Sequence, residues 1–207
     1  MDNKKKVIIY VDGFNFYYGL KTKKWKMFYW LDFVGFFGSF LKPHQELIEV
    51  NYFSARPTES GKHSRQDKLF QANKCNPKFN LILGRYLKKE IKCKQCGGVI
   101  HSYEEKETDV RIATHILADA YKKRCDIAVI VSADSDLVPP IELIKEFNPL
   151  QKVYVYFPPS RYSSNLSSLS DGTRKLDGAF ETFKKHLLPP RLKLSNGFVI
   201  EKPKEWE

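Results

Sequence analysis

Four aspartates stand where elements of the chain begin or end, in positions from which their carboxylates could act together. Asp12 directly follows the apolar run 7–11. Asp134 and Asp136, two residues apart, follow a second apolar run, Ile127–Val131. Asp109 opens a segment of helical periodicity and is preceded by Glu104, Glu105 and Glu107. Converging carboxylates repel one another, and their burial is costly unless a cation compensates them. Hard oxygen donors suit Mg²⁺ or Mn²⁺, which neutralise charge on a phosphodiester and lower the pKa of water. Ordinary structural roles also fit each residue. Asp12-Gly13 can be a turn, Asp109 a favourable charge in a first helical turn, and Asp134 and Asp136 caps of the next helix. An EF-hand is excluded, because Asp134-Ser135-Asp136 runs on into Leu137-Val138-Pro139 without the loop glycine or the later glutamate.

A second chemistry-bearing group is Cys93-Lys94-Gln95-Cys96-Gly97-Gly98, which has the spacing and glycines of a zinc knuckle. A structural Zn²⁺ site needs about four ligands. Cys75 and His101 are the nearest residues to complete one, with His63 a weaker candidate. The pair lacks the strand-to-helix setting of a redox motif. The alternative is a reduced, metal-free basic loop that contacts RNA through Lys88, Lys89, Lys92 and Lys94. Cys125, just before a buried run, reads as a small core residue.

The elements that must position these groups follow from periodicity. Runs 6–11, 47–55, 79–87, Ile127–Val131 and 153–157 read as strands, the first and fourth buried on both faces. Helical patterns fall at 14–20, 30–41, 61–74, 108–123, 135–147 and 176–187. In the fourth, Val110, Ala113, Ile116, Leu117, Ala120 and Tyr121 recur at three- and four-residue spacing. Residues 88–102 read as an inserted loop, 160–170 as a serine-rich loop and 188–207 as a C-terminal tail after a domain at 1–187. Strands alternating with helices indicate an α/β fold with a mainly parallel sheet, whose ligands bind at the carboxyl ends of the strands.

Composition bounds the function. The chain has 207 residues, 35 Lys+Arg against 24 Asp+Glu, a net charge of +11, 42% hydrophobic and 14% aromatic residues. Wholesale disorder is excluded by the apolar content. No run approaches the roughly 18–20 apolar residues of a membrane span, and the first strand follows the N-terminal lysines without a signal-like segment. Four cysteines are too few for a disulfide scaffold, so a cytoplasmic setting is expected. The basic excess favours a polyanionic partner.

Three segments together carry a family resemblance. Val7-Ile8-Ile9-Tyr10-Val11-Asp12-Gly13-Phe14-Asn15 resembles the opening motif of NYN domains, in the LabA-like branch of the PIN-like nuclease superfamily. Glu105-Lys106-Glu107-Thr108-Asp109-Val110 resembles their central motif, often Glu-Lys-Gly-x-Asp-Val. Val129-Ile130-Val131-Ser132-Ala133-Asp134-Ser135-Asp136 resembles the third, usually Ser-Gly-Asp-Ser-Asp. The resemblance implies a PIN-like three-layer α/β/α sandwich and metal-dependent RNA cleavage, with Asp12, Asp109, Asp134 and Asp136 holding Mg²⁺ or Mn²⁺. It also implies that Asn15 supports the substrate or a metal-bound water and that Ser132 orients the site. Ala133 and Glu107 stand where the family usually has glycine, so an altered turn and an added charge beside Asp109 are expected.

The expected function is therefore a metal-dependent endoribonuclease, with RNA as partner and a homodimer as the candidate assembly. Phe14, Phe16, Tyr17, Tyr18 and Trp25 are candidates for stacking unpaired bases, although core packing is the commoner fate of such rings. Two other readings remain: a non-catalytic RNA-binding module, and a phosphohydrolase using Asp134-Ser135-Asp136. Against the second, Ser132-Ala133 separate the strand from the acids.

Overall fold

The first apolar run forms β1 (Lys5–Asp12), buried from Val7 onward. A strand with neighbours on both sides and helices on both faces has no polar side to present, so the run is continuous. The computed structural model describes residues 4–56, 60–92, 95–194 and 196–207, with the backbone only at 60, 88–89, 91–92 and 100–105. After β1 come α1 (Gly13–Thr22), α2 (Phe33–Gly38), β2 (Gln45–Ser54), α3 (Ser60–Asn73) and β3 (Phe79–Leu83). A hairpin of β4 (Arg85–Lys92) and β5 (Val99–Lys106) leads into α4 (Thr108–Tyr121) and β6 (Ile127–Val131). Then follow α5 (Val138–Phe147), β7 (Lys152–Phe157), α6 (Ser164–Leu169), β8 (Gly172–Lys175) and α7 (Phe180–Lys185). Strands β9 (Arg191–Lys193) and β10 (Val199–Glu201) complete the order.

Six strands make one all-parallel sheet in the order β3-β2-β1-β6-β7-β8. Because side chains alternate along a strand, β1 feeds two cores. Val7, Ile9 and Val11 pack with Phe16, Phe36, Phe37 and Phe183 from α1, α2 and α7. Ile8 and Tyr10 pack with Ile112, Ile116, Ile141 and Ile144 from α4 and α5. The result is a mixed α/β, PIN-like α/β/α sandwich.

The topology also places the site. From β1 the chain steps outward to β2 and β3, then returns to β6 beside β1 and continues outward the other way through β7 and β8. Loops leaving β1 and β6 diverge at this reversal and open a crevice at the carboxyl ends of the strands. The register runs from Val7↔Ile127 to Val11↔Val131, so Asp12 and Ser132 are the next residues on each strand.

Several elements differ from the sequence reading. Of residues 88–102, expected as a loop, 88–92 and 99–102 lie on an antiparallel ladder that runs from Arg85↔Lys106 to Lys92↔Val99, while Cys93 and Lys94 lie outside the described residues. A two-stranded ribbon outside the main sheet has no required apolar face, so no alternation marks it. The helical pattern 30–41 shortens to α2, which Asp32 opens by accepting the Gly35 N–H at 3.0 Å. The serine-rich segment contains α6, capped by Ser163, and is followed by the short edge strand β8. Residues beyond 187 fold back on the domain: Ile200 is buried, and the Trp206 ring meets Tyr29 and Trp30. Among the described residues, no helix is long and apolar enough to cross a membrane.

Candidate metal centre

Asp12 terminates β1 and caps α1. Its Oδ1 accepts the Asn15 N–H at 2.9 Å, and its Oδ2 accepts the Ser132 hydroxyl at 2.8 Å. The side chain is only 4% exposed. Burial outweighs the two hydrogen bonds and, with the charges of Asp109 and Asp134, pushes the carboxyl from 3.8 up to about 6. The next residue must be small. A Cβ at Gly13 would collide with the Phe53 carbonyl and the Tyr52 ring, so α1 starts flush against β2.

Ser132 ties the two central strands together. While it donates to Asp12, its Oγ accepts the Asp134 N–H at 3.0 Å. Asp134 in turn caps the 3-10 turn Ser135–Leu137, its Oδ1 accepting the Asp136 N–H at 3.0 Å. Asn15 closes the frame by accepting the Ala133 N–H at 3.2 Å. Asp109 arrives separately, from the first turn of α4. One carboxylate oxygen from each of Asp12, Asp109 and Asp134 lies within 4.8 Å of the others.

Three carboxylates so placed repel, and a divalent cation is a group that would relieve them. The donors are all hard oxygens, as Mg²⁺ or Mn²⁺ prefers. They form the floor of a cleft of about 240 Å³ whose walls include Phe14, Asn15, Tyr18 and Arg161. Asp136 is not part of this group. It is exposed, and its backbone rather than its carboxylate braces the site.

The remaining candidates divide. Phe14 and Tyr18 line the cleft, whereas Phe16 is buried and Trp25 packs on Phe28, Phe180 and Phe183. Tyr17 is exposed and meets the Tyr18 ring edge-on and the Tyr29 ring at a tilt rather than lining the cleft. Lys88, Lys89 and Lys92 lie on β4, with Lys94 outside the described residues. Cys93 is also outside them, Cys96 is exposed in the hairpin turn, and His101 pairs with Glu90 in the ladder. Cys75 precedes β3, at the sheet end opposite the one from which the hairpin leaves. Cys125 is buried.

Both departures from the glycine pattern have a structural account. Ala133 is not among the residues with positive φ, so its methyl meets no backbone conflict. Glu107 does adopt φ 77°, the left-handed region glycine favours. Its charge is taken up by Arg111 at 2.8 Å and Arg85 at 3.4 Å rather than left beside Asp109. Spacing in the sequence does not mark Arg161 as a site residue. Its one signal is position: it follows Pro158-Pro159 after the end of β7, at the same sheet edge as the aspartates.

The α/β/α sandwich with carboxylates gathered at its carboxyl edge defines a PIN-like nuclease architecture. The chain belongs to the NYN domain family, a PIN-like nuclease family, whose model matches residues 6–177. It is similar to 6-hydroxy-3-succinoylpyridine 3-monooxygenase HspA of Pseudomonas putida, at 28% identity over 66% of this chain. The chain spans about half the length of that curated relative, 54%. Its fold is similar to that of a protein of unknown function from Vibrio parahaemolyticus. The TM-score is 0.59 at 20% identity, covering 86% of this chain and 96% of the other.

Proposed function

We propose that this protein is a metal-dependent endoribonuclease of the LabA-like branch, hydrolysing phosphodiester bonds of RNA at Asp12, Asp109 and Asp134. The observation that carries the reading is the convergence of three carboxylates, from β1, α4 and the β6 loop, within 4.8 Å in an open cleft. A divalent cation held there supplies positive charge at the scissile phosphate and lowers the pKa of water. Ser132 fixes the rotamer of Asp12 and the backbone of Asp134 through one hydroxyl. Asn15 holds α1 against the β6 loop, so the donors keep their spacing as substrate enters. Tyr18, nearly half exposed on the cleft wall, offers a face for an unpaired base. The net charge of +11 draws a polyanion to the surface around this acidic pocket.

The name of the curated relative suggests oxygenation instead. The cleft favours hydrolysis, because its three donors are carboxylates without the two imidazoles of the common iron oxygenase triad. The test is incubation of purified protein with single-stranded RNA and Mg²⁺ or Mn²⁺, with a chelator control. Cleavage that needs the metal and falls on the order of 10²-fold or more in Asp134→Asn, the scale for losing one preorganised charge-stabilising group, is expected. RNA left intact by the wild type under all these conditions refutes the reading.

A further inference from the structure

Among the described residues, Arg161 is the basic side chain that lines the acidic cleft beside Asp12, Asp109 and Asp134. Its Nε is buried and has no hydrogen-bond partner. A buried N–H left unmatched is unfavourable, so the side chain gains if it shifts toward a partner in the cleft it lines. The guanidinium is planar and always charged, with donors suited to the oxygens of a phosphate.

The backbone beneath Arg161 is built to hold that side chain in place. Pro158 and Pro159 are buried, and Gly19 of α1 lies so close to the Pro159 carbonyl that a Cβ there would collide with it. Ser160 turns the chain at φ 58°, and its N–H donates to Asp177 at 3.1 Å. Asp177 is anchored by Lys23 at 2.7 Å. The Arg161 N–H then closes a turn onto the Pro158 carbonyl at 3.0 Å. A long side chain rooted in so restrained a turn loses less freedom on binding than one on a mobile loop.

We propose that Arg161 is a substrate-binding residue that clamps a backbone phosphate of the RNA strand lying in the cleft. This rests on the nuclease reading for the identity of the strand, but the contact is tested by binding alone. The probe is a short fluorescein-labelled single-stranded RNA, titrated by anisotropy at several salt concentrations. Three proteins are compared, with Arg, Lys or Ala at position 161, all carrying Asp134→Asn so that the strand stays intact. Arg161→Ala is expected to weaken binding by about tenfold or more. It should also flatten the slope of log affinity against log salt by about 0.7, the value of one phosphate contact on a single strand. Arg161→Lys keeps the slope and loses part of the affinity, because it keeps the charge and not the planar guanidinium. A general loss of structure would lower the affinity of the lysine and alanine variants alike, and that result overturns the proposal. Equal slopes for Arg and Ala overturn it even if the wild type cuts RNA. A flattened slope in Ala together with a wild type that never cuts leaves the clamp standing and removes the nuclease reading.

Discussion

Replacing Asp12 by Asn should stabilise the metal-free protein at neutral pH while removing its response to metal. The folded-state carboxyl lies at about 6 instead of 3.8, with burial as the main cause. Between those values the folded chain binds the proton and the unfolded chain does not. Stability therefore falls as pH rises through this window and stays lowered above it. A rise from 3.8 to about 6 corresponds to about 3 kcal/mol of lost stability at pH 7. Asn carries no charge but can accept only one of the two hydrogen bonds that Asp12 receives from Asn15 and Ser132. That loss returns about 1 kcal/mol. The net gain of about 2 kcal/mol raises Tm by about 4–8 °C for a chain of this size. Thermal unfolding in chelator at pH 7 and at pH 4 reads it out, and the advantage should vanish at pH 4, where Asp12 is already neutral. Adding Mg²⁺ or Mn²⁺ at about 100 times Kd should raise the wild type by about 2.7 kcal/mol and leave Asp12→Asn nearly unmoved, reversing their order. A variant that melts below the wild type in chelator at pH 7 would refute the reasoning. So would a pH-independent difference between the two.

Other expectations follow from the same contacts. Metal affinity should fall by about tenfold per pH unit below about 6, because Asp12 must shed its proton to bind. Calorimetry in buffers of different ionisation enthalpy counts that proton, and pH-independent affinity from 7 to 5 would contradict it. Ser132→Ala strips a hydroxyl from Asp12 Oδ2 and an acceptor from the Asp134 N–H, costing about 1–3 kcal/mol in urea unfolding at pH 7; an unchanged midpoint would deny the bridge any role. Gly13→Ala drives a methyl into the Phe53 carbonyl and the Tyr52 ring, and should cost about 1–3 kcal/mol or more. A Tm within error of the wild type would mean that α1 can retreat from β2.

The parts of the site that are legible in the sequence are those that local pattern controls. A double-sided strand shows as an unbroken apolar run, so β1, β6 and the acids at their ends can be located from the runs alone. A helix with one buried face shows its period, which puts Asp109 in the first turn of α4. The ribbon of β4 and β5 leaves no such mark, because charged strands pairing only with each other need no alternation. The same holds for β8, four residues at the sheet edge with one half-buried residue and three exposed.

What the sequence by itself determined is which carboxylates end up at the carboxyl edge, because strand ends and helix starts are properties of a few neighbouring residues. Which of them come close enough to share a cation was decided only by the tertiary structure. Asp12 and Ser132 are 120 positions apart and meet because β1 and β6 pair side by side. Asp136, two residues from Asp134, stays outside the group: the 3-10 turn uses its amide, and the residue is exposed. Arg161 enters the cleft from a third strand end, on a turn braced by Gly19 and Asp177. Adjacency between distant segments costs loop-closure entropy that the packed sheet and its two cores offset, and no short window of sequence contains both sides of that balance.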